Sequence, residues 1–127
     1  MAFDRSHARV FAWLAGGSAL AAAYHLAAFA TQFAHAQVNA AAWRHLVFVG
    51  IDIALAVLLL WRPRWLIAPV AIVTAQASWS HGHGLWNAWH SARQVDWVSV
   101  AVFLYLPFLV AAAISNAFSP PDKRAGD

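Results

Sequence analysis

Four stretches of the chain are nearly free of charge, and the polar segments between them are short. The first runs from Phe11 to Phe33, interrupted only by His25, Gln32 and small hydroxyls. As a helix rising about 1.5 Å per residue it covers roughly 34 Å, enough for a hydrocarbon core of about 30 Å. The second begins near Ala42, is strongest from Leu46 to Trp61, and holds one carboxylate, Asp52. The third, Trp65 to Ser80, is shorter and borders Gly82 and Gly84. The fourth spans Val95 to Phe118 with Pro107 inside it, where neighbouring groups can satisfy a freed carbonyl. None alternates apolar and polar residues as a membrane barrel strand does. The pattern therefore predicts an all-α, polytopic membrane protein: a four-transmembrane-helix bundle, with helices at about 11–33, 42–61, 65–80 and 95–118, forming one domain over residues 1–127.

Composition narrows the solvent. Of 127 residues, 62% are apolar and 10% are charged, against about a quarter charged in soluble domains. So small a soluble domain needs a large polar exterior that this chain cannot supply, which disfavours a water-soluble enzyme, a disordered chain and a nucleic-acid binder. The net charge of +3 comes from basic residues placed in pairs beside the apolar runs, as on the flanks of membrane helices. Without cysteine there is no disulfide framework, thiolate metal site or Cys nucleophile. The lipid bilayer is the expected surrounding, with a second copy or a larger membrane complex as the protein partner.

The basic residues also predict orientation. With the amino terminus cytoplasmic, Arg5, Arg9, Arg62, Arg64, Lys123 and Arg124 lie inside, and only Arg44 and Arg93 lie outside. That imbalance predicts both termini in the cytoplasm of a bacterial-type inner membrane. Trp13, Trp61 and Trp65 then mark one interface, and Trp43, Trp79, Trp86, Trp89 and Trp97 the other. Arg62-Pro63-Arg64 is expected as a tight turn between antiparallel neighbours. Arg5 and Arg9 before an apolar stretch that ends at Ala34-His35-Ala36 also have the order of a secretory signal, though the stretch exceeds the usual 7 to 15 residues of a signal core.

Polar groups inside hydrocarbon need a partner or a function, since a central charge costs roughly 2.5 to 3.5 kcal/mol. Helix rise places His25, Asp52 and Gln76 in one middle-to-outer layer, with His45 and Arg44 above them. Residues seven apart share a helix face, which aligns His45 with Asp52 and makes Ser18, His25 and Gln32 one stripe. Asp52 is the acid most in need of a partner, and His25 is the expected one. Asp96 stands where a helix entrance welcomes a carboxylate.

Five histidines, His35, His45, His81, His83 and His90, fall on the outer side, with His25 just beneath. The segment from His81 to Gln94 is expected as a loop, with a short interfacial helix over 85–92, in which Gly82 and Gly84 free the backbone to aim two imidazoles at one point. Imidazoles with a carboxylate suit a transition metal, and paired histidines from different helices suit haem. The ligand candidates are His25, His45, His81, His83 and His90, supported by Arg44, Asp52 and Gln76. His25, His45, His81 and His83 are expected to form a single site. Ser78, Ser80, Ser91 and Ser99 lie near histidines in sequence, but no nucleophile elbow or phosphate-binding glycine loop accompanies them.

Four short-looped helices with paired basic flanks resemble small bacterial inner-membrane bundles of the DoxX-like kind. That resemblance is architectural, rests on no motif and implies no residue roles. The leading expectation is a binding or redox module whose outer-half histidines hold a metal, haem or quinone. The alternatives are an accessory membrane subunit in which the same residues join helices, and a proton-coupled transporter or intramembrane enzyme using Asp52.

Overall fold

The structure, a computed structural model, describes residues 2–35 and 40–119. Lys123 and Arg124, and the side chain of Arg5, lie outside the described residues. Those residues fold into four α-helices: α1 (Ala2–Ala34), α2 (Ala40–Trp61), α3 (Ile67–Ala92) and α4 (Trp97–Phe118), with one 3₁₀ turn at Arg64–Leu66. The all-helical expectation holds. The chain divides into two compact units, Met1–Arg62 and Pro63–Asp127.

In the first unit α1 and α2 pack antiparallel. Phe29 near the end of α1 meets Trp43 at the start of α2, with centroids 5.8 Å apart, while Arg62 after α2 lies over Phe11, 6.0 Å from its ring centre. The contact face of α1 buries Phe11, Leu14, Ala15, Ser18 and Ala22; α2 contributes Ala42, Leu55 and Leu59. These positions recur at threes and fours, the period of a left-handed helix pair. Ala15, Ser18 and Ala22 are small enough for close helix approach. Outward residues such as Trp13, Leu20, Val47 and Leu60 are large, apolar and exposed, as lipid-facing positions should be.

The second unit pairs α3 with α4, again antiparallel. Asn116 near the end of α4 donates to the Pro63 carbonyl (2.9 Å), and Ser99 near its start meets His81 on α3. Leu66, Val70, Ser99, Leu106, Leu109, Ala112 and Ala113 form the buried strip.

Several expected boundaries need correction. Helix α1 begins at Ala2, not near Phe11, because Ala2–Val10 contains neither proline nor glycine to stop it. Helix α3 does not end at Ser80: it runs unbroken through both glycines to Ala92, so the expected loop from His81 is helical. Leaving helical hydrogen bonds unmade there would strand backbone polar groups, and no described glycine has positive φ. Arg93 ends α3 in the left-handed conformation (φ 53°), with its N–H on the Trp89 carbonyl and that of Gln94 on Ala88. Helix α4 starts at Trp97 instead of Val95, because Asp96 caps it, accepting from the Val98 and Ser99 N–H groups.

Three helical segments are long and apolar enough to cross a membrane: His7–Ala34, Ala42–Trp61 and Trp97–Phe118. Helix α3 is not among them, since its second half carries His81, His83, Asn87 and His90.

Candidate functional site

The α1–α2 seam brings three ionisable side chains together. His25 follows Ser18 by seven residues on the inward face of α1, and His45 and Asp52, also seven apart, lie on the inward face of α2. Nδ1 of His25 stands 3.0 Å from Nδ1 of His45. Nε2 of His25 lies 3.8 Å from Oδ2 of Asp52, with side chains only 16% and 15% exposed. That carboxylate oxygen is buried without a hydrogen bond among the described residues. The expected pairing of Asp52 with His25 is thus an ion-pair approach, not a hydrogen bond.

Aromatic rings wall the cluster. Tyr24 meets His25 edge-on at 5.4 Å and Phe48 lies 5.1 Å away. Farther along, Phe29 packs between Phe33 and Trp43. Apolar walls keep the local dielectric low, which strengthens every interaction within the cluster.

Proton bookkeeping follows from the nitrogen pair. Two imidazole nitrogens at hydrogen-bond distance need one proton between them, so one ring donates at Nδ1 and the other accepts. Two neutral imidazoles beside an ionised Asp52 leave the three groups with one net negative charge. One further proton, on the carboxylate or on a ring, makes the cluster electroneutral.

In the second unit the histidines of α3 diverge. His81 meets Ser99 Oγ at 3.0 Å through Nδ1. His83 turns to Asn87 on its own helix, 3.0 Å from its amide nitrogen. His90 donates from Nδ1 to the Trp86 carbonyl (2.9 Å) and stacks on that indole at 3.8 Å. Because α3 is continuous, residues two apart differ by about 200° in direction. The expectation that His81 and His83 converge on one ligand is therefore corrected; His25 and His45 belong to the first unit, and His81 and His83 to the second.

Among the described residues, no group of three or more His, Asp or Glu side chains is gathered to hold a metal ion. Of the ring nitrogens of His25 and His45, two face each other and a third faces Asp52, so the pair does not present a chelating set. Of the supporting residues, Arg44 and Gln76 are exposed, as is His35 in the turn after α1. Thr74 has its hydroxyl oxygen buried without a hydrogen bond among the described residues.

Ser99 had no assigned role in the sequence, yet it is 1% exposed and joins His81 to Asp96. Its hydroxyl donates to Asp96 Oδ2 at 2.6 Å, and its N–H and that of Val98 donate to Oδ1. The Ser99 hydroxyl bond, aided by the two backbone bonds and by His81, holds the Asp96 carboxyl below the ordinary carboxylate range, against a smaller opposing effect of burial. The signal was the spacing Asp96-x-x-Ser99 at a helix start, which is a capping arrangement.

Comparison with protein-family models, curated proteins and solved structures finds no match.

Proposed function

We propose that the chain is a small integral membrane protein whose α1–α2 unit carries a proton-exchanging binding site formed by His25, His45 and Asp52, serving as a binding or redox module. The observation that carries this reading is the 3.0 Å contact between the two Nδ1 atoms beside an Asp52 oxygen that is buried without a hydrogen bond among the described residues. Ionisable groups buried in an apolar helix pair are costly, and such groups in a membrane mark function by default. Their shared proton is the natural currency of the site, and a ligand suited to it offers hydrogen-bonding oxygens, as a quinone does. Metal or haem binding receives no support from the geometry.

In the same reading the chain crosses the membrane four times, α3 included, with both termini in the cytoplasm of a bacterial-type inner membrane. Support comes from the length of α3, 26 residues or roughly 39 Å, and from the distribution of basic residues.

The test is an infrared difference spectrum, taken as pH is changed, of the full chain purified in detergent without a histidine tag. A protonated-carboxyl band that titrates in the wild type and vanishes in Asp52→Asn supports the site. No such band, in a colourless and metal-free preparation, favours the accessory-subunit reading, in which the histidine pair is interhelical glue worth about 0.6 to 2 kcal/mol. Stoichiometric metal or haem in the same preparation would restore the metallic reading.

A further inference from the structure

The α3–α4 unit holds a second arrangement of ionisable groups, independent of the first. Asp96 has its carboxylate as an acceptor only, so the hydrogen in the 2.6 Å contact comes from Ser99 Oγ. With its one hydrogen so committed, Ser99 can only accept from His81 across their 3.0 Å contact. The ring proton of neutral His81 is thereby fixed on Nδ1, and the lone pair on Nε2. His83 and His90 spend Nδ1 on their own helix; among the three, His81 alone is tied to a carboxylate through a buried hydroxyl.

The cap of α4 lies directly against α3 here: a β-carbon built on Gly84 would stand in ordinary contact, 3.6 Å from Asp96 Oδ2 and 3.7 Å from Ser99 Oγ. Asp96 is the charged group that faces His81 across that contact.

We propose that His81 is a proton-accepting site, working through Nε2, with Ser99 and Asp96 as its positioning residues and proton exit. The transfer balances without a further reactant. A proton from hydronium or another acidic donor bonds to Nε2, and the donor is left as water or its conjugate base. The Nδ1–H bond breaks as its proton joins Ser99 Oγ, and the original Ser99 hydroxyl proton passes to Asp96 Oδ2. His81 is left neutral with its proton on Nε2, and Asp96 is left as a neutral acid at the start of α4. Its bonds from Ser99 and Val98 favour the anion, so it releases the proton readily to water.

Nitrogen-15 NMR of the imidazoles, on the full labelled chain in detergent micelles, tests this. Neutral wild-type His81 should carry its proton on Nδ1, whereas exposed His35 should show an ordinary tautomer mixture. In Asp96→Asn, the amide oxygen must keep accepting from the two cap N–H groups, which puts the amide nitrogen where Oδ2 was. Ser99 then accepts from Asn and donates to His81, and the His81 proton moves to Nε2. Ser99→Ala should abolish the preference and slow exchange of the remaining Nδ1 proton with solvent. A wild-type proton on Nε2, or a mixture like that of His35, overturns the proposal even if neither variant folds. So does an unchanged tautomer in Asp96→Asn, or faster Nδ1 exchange in Ser99→Ala, as expected of a purely structural hydrogen bond.

Discussion

His25 and His45 face each other Nδ1 to Nδ1 at 3.0 Å across the α1–α2 seam, so the proton state of either ring is set by the other. Removing one leaves the second with an unmatched nitrogen in an apolar wall, and removing the second then costs little more. In unfolding measurements in detergent, His25→Ala and His45→Ala should be non-additive, with a coupling of about 0.5 to 3 kcal/mol. His81→Ala and His83→Ala, which have separate partners, should add to within about 0.5 kcal/mol. Additivity in the first pair would dissolve the cluster.

Gly82 and Gly84 sit in unstrained helix, where a β-carbon would come no closer than 3.6 Å to any neighbouring atom. Alanine at either position should fit and raise stability by roughly 0.5 to 1 kcal/mol, the usual helical advantage over glycine. Gly84→Val, which extends toward Asp96 and Ser99, should instead destabilise by about 1 to 3 kcal/mol. Thermal melting followed by circular dichroism reads both. A loss of stability in the alanine variants would show that the glycines serve a bend.

The Asp96 cap predicts an acid-side loss. Its folded pKa is lowered, chiefly by the Ser99 hydroxyl bond, so near the ordinary aspartate value of about 3.9 the unfolded chain binds more protons than the folded one. The stabilisation is complete above that value and disappears as pH falls through the lowered folded value. Wild-type melting temperature should drop over that acid window, and Asp96→Asn should flatten the drop. An equal drop in the variant would assign it to other carboxylates.

Orientation is open to direct labelling because the chain has no cysteine. Single cysteines at Arg62, before α3, and at Asn87, in its last turns, are both at exposed positions. In intact cells a membrane-impermeant thiol reagent should reach the second and not the first. Labelling of Arg62→Cys from outside would reverse the proposed topology.

The run lengths and near absence of charge were enough to determine helices, and the seven-residue spacings of Ser18 with His25 and of His45 with Asp52 placed those groups on inward faces, because helical period is a local property. The need of Asp52 for a partner was likewise legible, since a buried carboxylate is costly in any fold. Asp96 at a helix entrance followed from the same local rules. What the sequence could not decide was where α3 stops. Glycine is compatible with both a loop and a helix; the helix, which satisfies the backbone groups, sets the two glycines beside Asp96, Ser99 and Phe103. That continuity sends His81 and His83 in different directions and separates histidines that spacing alone had gathered. Ser99 became visible as the link between His81 and Asp96 only in three dimensions, because a serine's single hydroxyl hydrogen has no direction until the tertiary structure supplies the acceptor.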